Sequence, residues 1–364
     1  MDIELQDGGA KFPSFCMLDL FISDLAVEYA FVYNGTRFYV TIKAEKLKGE
    51  GEFLDEFNKF KDGIDDPDTM FQFEEWILSP LDDFMLKVAP TPEHGTWKTI
   101  TLLDYFSPPT YAFALVNQKG SLYAIQEDYN PQIHGDISPR TRIIDPSPHS
   151  SLGPSSANAN PPPDHGVLKE GSVLRSELPP VPLIYASELE RADELRDKEM
   201  SDVPRKVRRR GSGDVFFFKA GFKDHGHLRE LELLCQINHS GEFDAHLRTS
   251  KLLGLVVWDD DETSLMGFLL EYIDGETLAL RMESTDMATR TKWMSKIEAT
   301  VRQLHRVGIV WGDVKPDNVM INADGDAVVV DFGGGYTPEY IKPELQNTAQ
   351  GDLMGLEHTR VALG

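Results

Sequence analysis

Hydrophobic spacing along the chain changes between period two and period three to four, and each change marks an element. Residues 27–42 read VEYAFVY and TRFYVTI around Asn34-Gly35. Apolar positions alternate on both sides, and Asn-Gly tolerates the positive φ angles of a tight type I′ turn, so a β-hairpin is predicted. A second hairpin is predicted over residues 111–125, turning within 117–120. Between them, residues 53–60 and 70–78 carry apolar side chains at helical spacing. Residues 1–130 therefore read as a small α+β domain of unassigned role, with nothing that looks catalytic. Its acidic run, Asp65, Asp66 and Asp68, fits a solvated loop better than a cation site. Further on, VFFFK at 215–219 is a short apolar strand ending in a lysine, and Leu228, Leu231, Leu234 and Ile237 mark one face of a helix. Residues 252–258 and 265–272 read as antiparallel strands around the polar turn 259–263. Trp293, Ile297, Val301 and Leu304 line a long helix that stops before Gly308. Then IVWGDVKPDNVMI, the turn NADGD and AVVVDFGGG give two strands that end in a glycine-rich loop.

Composition changes this picture in three places. Residues 131–182 turn to Pro, Ser, Asn and His, with DPSPHSSLGPSSANANPPPD at their centre. Such a stretch buries too little apolar surface to offset the entropy of ordering, so it reads as a disordered Pro/Ser-rich linker. The chain has 364 residues, with 36 Lys and Arg against 60 Asp and Glu, a net charge of −24. That balance repels nucleic acid and anionic membrane surfaces. The two cysteines, Cys16 and Cys235, lie far apart and suit neither a disulfide framework nor a zinc site. The acidic N-terminus lacks the apolar run of a signal peptide, and no stretch approaches the roughly 18 apolar residues of a membrane span. The expectation is an intracellular protein, cytoplasmic or nuclear. Within so acidic a chain, the basic run Arg205, Lys206, Arg208, Arg209 and Arg210 stands out. An exposed strand or loop accounts for it most simply; a nuclear-localisation or phosphate-binding patch and a contact with the acidic first domain are the functional alternatives.

The chemistry concentrates in WGDVKPDN at 311–318 followed by Asp331-Phe332-Gly333. The Asp-x-Lys-Pro-x-Asn string, the second aspartate and the hairpin between them together resemble the catalytic and magnesium loops of the eukaryotic-type protein kinase family. The resemblance covers about residues 183–364. It implies an α+β, minimal two-lobed protein-kinase-like fold, with an N-lobe at about 183–272 and a C-lobe at about 273–364. Phosphoryl transfer from ATP needs a carboxylate to orient the acceptor hydroxyl, a cation beside the γ-phosphate and oxygen ligands for Mg2+. By the resemblance, Asp313 is that carboxylate and Lys315 that cation, and Asn318 and Asp331 are the metal ligands. Lys219 would hold the α and β phosphates and Glu230 would orient it. Glu232 is the competing choice, disfavoured because Leu231 and Leu234 turn that face elsewhere. Glu271 and Ile273 would bind adenine through the backbone of an interlobe hinge. Phe332 and Gly333 complete the metal loop, and Asp352 resembles the buried aspartate that braces the catalytic loop. Pro343-Glu344 resembles the end of a very short activation segment that contains TPEY at 337–340.

Four departures qualify the resemblance. A Gly-rich phosphate loop is missing, since Gly211-Ser212-Gly213 sits too close to Lys219. Phe217 stands where the family has a small residue over the adenine ring, which implies weak nucleotide binding. Gly312 replaces the arginine that reads a phosphorylated activation loop, so control by such phosphorylation is not expected. Few residues follow Asp352, which implies a C-terminally truncated form without most of the substrate-binding helical subdomain. The leading expectation is an ATP- and Mg2+-dependent phosphotransferase acting on Ser or Thr of a protein substrate. The alternatives are a pseudokinase that serves as a nucleotide-binding or scaffolding module, and a small-molecule kinase, which the Gly312-Asp313 pair resembles.

Overall fold

The computed structural model describes residues 15–90, 100–130, 138–144, 172–178, 180–192, 203–222, 225–240, 243 and 247–364. They divide into two compact units, Met1–Ser138 with Glu190–Pro204, and Pro139–Leu189 with Arg205–Gly364. The architecture is α+β, and no described helix is long and apolar enough to cross a membrane.

The first unit is a five-stranded sheet in the order β1 (Phe15–Ile22), β2 (Ala26–Tyr33), β3 (Thr36–Lys43), β4 (Thr110–Gln118) and β5 (Ser121–Glu127). Asn34 and Gly35, at φ 45° and 75°, make the β2–β3 turn that the Asn-Gly pair specifies. The second hairpin turns at Lys119 and Gly120, both at positive φ. Only β3 and β4 pair in parallel, because helices α1 (Phe53–Gly63), α2 (Pro67–Leu78), α3 (Asp82–Val88) and α4 (Leu102–Phe106) intervene in the chain as a crossover. Val27, Tyr29 and Phe31 of β2 and Phe38, Val40 and Ile42 of β3 share one face. There they pack with Phe57, Phe73, Ile77, Leu81 and Met85 from the helical side. The acidic run has a structural use. The Asp66 carboxylate accepts from the Thr69 amide at 2.9 Å and caps α2.

The second unit is built on a sheet whose path runs β7 (Ser172–Leu174), β6 (Thr141–Ile144), β13 (Asp261–Glu271), β11 (Val215–Ala220), β10 (Lys206–Arg209). The strand β12 (Leu252–Trp258) pairs with β13, and β8 (Leu183–Tyr185) pairs in parallel with β12. The short strand β9 (Leu189–Arg191) lies at the chain boundary between the units. Helix α5 (His225–His239) follows β11. After β13 come β14 (Gly275–Thr277), α6 (Leu278–Arg281), α7 (Met287–Arg306), the hairpin β15 (Val319–Asn322) and β16 (Ala327–Val329), and α8 (Ala349–Leu363). The face expected of α7 is the one it buries: Trp293, Ile297, Val301 and Leu304 all lie in the core. Asp286 caps its start through the Thr289 amide, and Gly308 at φ 79° ends it.

Several sequence-based expectations change here. Residues 139–144, 172–178 and 180–182, assigned above to the linker, belong to the second unit, because Ile143 and Val173 are buried on paired strands. Of the remainder of that segment, Ser138 groups with the first unit, and 131–137, 145–171 and 179 lie outside the described residues. The N-lobe interval 183–272 is interrupted, since Glu190–Pro204 groups with the first unit. The basic run, by contrast, is the exposed strand expected of it: it forms β10 and its flanks, with Arg205, Arg208 and Arg210 exposed, Arg209 paired with Glu188 at 2.8 Å and the Lys206 ammonium 4.3 Å from the Tyr272 ring centre. Gly211 and Gly213, at φ 85° and 76°, form the tip of the β10–β11 hairpin.

Candidate active site

The β15–β16 hairpin sets the geometry of the site. Its register pairs Val319 with Val329, so Asn318, just before one strand, and Asp331, just after the other, emerge side by side. The Val330 amide donates to the Asn318 carbonyl at 3.0 Å and fixes this arrangement. Asp331 sits at φ 60°, a left-handed conformation uncommon outside glycine and asparagine, held by the indole of Trp311 on the carbonyls of Val330 (3.0 Å) and Asp331 (3.1 Å). Trp311 is fully buried and opens the WGDVKPDN string, so one side chain joins the two loops.

Within that string, Asp313 receives three groups. Lys315 Nζ lies 2.7 Å from Oδ2, Asn318 Nδ2 lies 3.2 Å from Oδ2 and 2.9 Å from the Asp313 carbonyl, and the Thr337 hydroxyl donates to Oδ1 at 3.1 Å. Thr337 also accepts from Lys315 Nζ at 3.0 Å. A carboxylate, an ammonium and an aliphatic hydroxyl thus form a closed triangle.

On the sheet side, Lys219, one residue before the end of β11, bonds both the Glu230 carboxylate of α5 and Asp331 Oδ1, the latter at 2.9 Å. Of the two glutamates considered, Glu230 is fully buried and meets Lys219, while Glu232 is exposed. Burial lifts the Glu230 carboxyl above the usual carboxylate range, against the opposing pull of Lys219. Burial also acts to raise Asp331, but the Lys219 charge and hydrogen bond outweigh it and hold the group low. Desolvation would lower Lys219, yet Glu230 and Asp331 together hold it above its ordinary value. The cluster is therefore one ion-paired unit, with Lys219 shared between a fully buried carboxylate, Glu230, and a half-exposed one, Asp331.

Asp352 of α8 is completely buried and takes the amides of Trp311 (2.9 Å) and Gly312 (2.8 Å) on its two oxygens, with His305 Nε2 at 2.7 Å. Phe332 is buried in the core and Gly333 donates its amide to Asp331 Oδ1 at 3.4 Å. Glu271 and Ile273 lie apart from these groups, at the end of β13 and just beyond it; the Glu271 amide is already bonded to the Lys251 carbonyl at 3.0 Å. Phe217 lies on the same face of β11 as Lys219, two residues away, and packs partly buried against the core. Sequence reasoning missed Arg229, His305 and Asn347. Arg229 donates to three backbone carbonyls, a role that leaves no motif in a sequence.

Among the described residues no group of three or more His, Cys, Asp and Glu is arranged to hold a metal ion. Asn318 and Asp331 are a two-oxygen set. That suits Mg2+, which keeps several waters and takes one or two protein ligands beside phosphate oxygens.

Residues 206–349 match the protein kinase domain family model. The chain is similar to the serine/threonine-protein kinase Sgk1-B of Xenopus laevis, 32% identical over 100 residues, covering 23% of each chain. It is also similar to a RAC family serine/threonine-protein kinase homolog of Dictyostelium discoideum, 26% identical over 165 residues, covering 38% of this chain and 35% of that one. The cAMP-dependent protein kinase catalytic subunit 3 of Drosophila melanogaster is 28% identical over 102 residues, 24% of this chain and 18% of the relative. The matches thus span well under half the length of these relatives. Lys219, Asp313, Lys315, Asn318 and Asp331 lie inside the matched interval, as does the β15–β16 hairpin, and Asp352 lies just beyond it. The match over residues 206–349, with the likeness to these serine/threonine kinases, supports placing that segment in the eukaryotic-type protein kinase superfamily.

Proposed function

We propose that the protein is an ATP- and Mg2+-dependent phosphotransferase that moves the γ-phosphoryl group to a Ser or Thr hydroxyl of a protein substrate. One observation carries the proposal: Asp313 already holds an aliphatic hydroxyl, that of Thr337, with Lys315 bridging the two. An acceptor hydroxyl that bonds Asp313 in the same way is oriented for in-line attack, and Asp313 takes its proton as the new P–O bond forms and the bond to the ADP leaving oxygen breaks. Lys315 lies where it offsets charge on the travelling group. Lys219, fixed by Glu230, presents an ammonium to the phosphates beside Asp331. Mg2+ held by Asn318 and Asp331 would supply charge neutralisation on the phosphate oxygens. The backbone at Glu271 and Ile273 is assigned to the adenine.

The test is Mg2+-dependent phosphate transfer from ATP by the purified protein against generic protein substrates. Asp313→Asn is expected to lower kcat by about 10²–10⁴-fold, and Lys219→Ala should abolish detectable transfer. Turnover that survives both substitutions excludes the proposal. Phe217 favours a second reading, a pseudokinase that binds nucleotide weakly and serves as a scaffold. Wild-type protein that gains no thermal stability from millimolar ATP and Mg2+ and transfers no phosphate would support it.

A further inference from the structure

The turn leading into Asp313 is gripped from two sides. On one side Asp352 holds the Trp311 and Gly312 amides. On the other, Arg229 of α5 donates Nη2 to the Val310 carbonyl at 2.8 Å and Nη1 to the Trp311 carbonyl at 3.0 Å, and also bonds the Phe332 carbonyl. The guanidinium is received by space that only glycine leaves. A Cβ on Gly312 would lie 2.9 Å from Arg229 Nη2 and 2.7 Å from Asn347 Oδ1, and one on Gly334 would lie 3.1 Å from Arg229 Nη1 and 2.3 Å from Asn347 Oδ1. Both glycines have positive φ, 101° and 78°. The absence of a side chain at 312 is thus matched by the arrival of one from the helix.

Arg229 directly precedes Glu230. One turn of α5 therefore holds Lys219 through one side chain and the catalytic and metal loops through the next, so the helix cannot move outward without breaking both sets. Where kinases order these parts by phosphorylating the activation segment, a new arginine–phosphate pair supplies the fixing contact. In this chain the segment after Asp331 is tied internally, by Thr337 to Asp313 and by the Gly335 amide to Asn347 Oδ1 at 3.2 Å.

We propose that Arg229 is a positioning residue that locks helix α5 and the Asp313 loop into one assembled arrangement without phosphorylation of the chain. The kinetic part of its test rests on the phosphotransferase proposal; the exchange part does not. The full-length protein is treated with phosphatase, and both Mg2+-ATP turnover and amide hydrogen exchange are followed at residues 310–313 and along α5. Wild-type turnover is expected to survive phosphatase within about twofold. Arg229→Gln should accelerate exchange in both segments and lower kcat by about ten- to a hundredfold, with KM for ATP within about threefold. Arg229→Lys, which keeps the charge but not the fork, should fall between, and it carries the comparison if the glutamine variant does not fold. Arg302→Gln, on the exposed face of α7, is the control. A folded Arg229→Gln protein with unchanged exchange in either segment overturns the inference, and so does wild-type turnover lost on phosphatase treatment. Absence of turnover in every wild-type sample defeats the phosphotransferase proposal instead, and exchange alone then decides the role of Arg229.

Discussion

Phe217 places a benzyl ring on the face of β11 that carries Lys219, and its cross-strand neighbours are Lys206 and Leu270. Lys206 in turn lies over Tyr272, at the start of the segment assigned to adenine. On the proposed reading, a ring in this position would compete with the purine of ATP for the same apolar surface. Phe217→Ala is therefore expected to strengthen ATP binding. A tenfold gain adds about 1.4 kcal/mol of ligand stabilisation at saturating nucleotide, read as a larger ATP-induced rise in melting temperature than wild type shows. An equal or smaller rise means that Phe217 lies outside the nucleotide path. Gly312 makes the opposite kind of demand. Its φ of 101°, and the Arg229 and Asn347 atoms that would lie within 3 Å of a Cβ there, leave no room for a methyl group. Gly312→Ala should cost about 1–3 kcal/mol and loosen the Asp313 loop. Chemical denaturation checks the first and turnover the second.

At the scale of elements, the turn between β15 and β16 is pinned to α7 by two contacts: Trp293 Nε1 donates to the Gly325 carbonyl at 2.9 Å, and Lys296 pairs with Asp326. The Lys296 hydrogen bond and charge hold the Asp326 carboxyl below its ordinary value. A carboxylate depressed in the folded state stabilises the fold above its unfolded pKa, near 4, and loses that contribution as pH falls through the depressed value. Asp326→Asn should therefore melt below wild type at pH 7, with the gap closing as pH falls below the unfolded carboxylate value and through the depressed one; a gap independent of pH rejects the ion pair as its source. The same hairpin explains what was legible in the sequence. Asn34-Gly35 announced its turn because few dipeptides accept two positive φ angles, and the α7 face was plain because Trp293, Ile297, Val301 and Leu304 keep one helical stripe. Asp313, Asn318 and Asp331 stood out by the resemblance of their strings to the kinase catalytic and magnesium loops, and a short hairpin fixes the spacing between Asn318 and Asp331. Arg229 did not, since its partners are backbone carbonyls remote in sequence, and any residue type supplies a carbonyl. Thr337 was visible only as part of TPEY, with no local pattern to tie it to Asp313.

At the scale of the whole molecule, each unit has its own apolar core, one centred on the β2–β3 face with α1 and α2, the other on β12, β13, α5 and α7. The second unit recruits chain from well upstream of the matched kinase interval. Trp258 is buried with its Nε1 on the Pro139 carbonyl at 3.0 Å and the Arg140 guanidinium 3.9 Å from its ring centre, and Ile143 and Val173 join the core from β6 and β7. This contribution was hidden because four- and three-residue strands flank a Pro- and Ser-rich composition, and composition averaged over the segment outweighs so few apolar positions. Separate cores make separate unfolding transitions the expectation, since cooperativity follows shared packing. Ile143→Ala removes buried methyl groups from the second core and should lower its transition by about 2–4 kcal/mol. Phe57→Ala should lower the other by about 3–5 kcal/mol. Calorimetry of the full chain reads both, and added Mg2+-ATP identifies the second transition as the one it raises. If β6 is an adornment rather than part of the kinase-like core, Ile143→Ala leaves the nucleotide-sensitive transition where it was. If the strand is integral, that transition moves and the Phe57 variant leaves it unmoved.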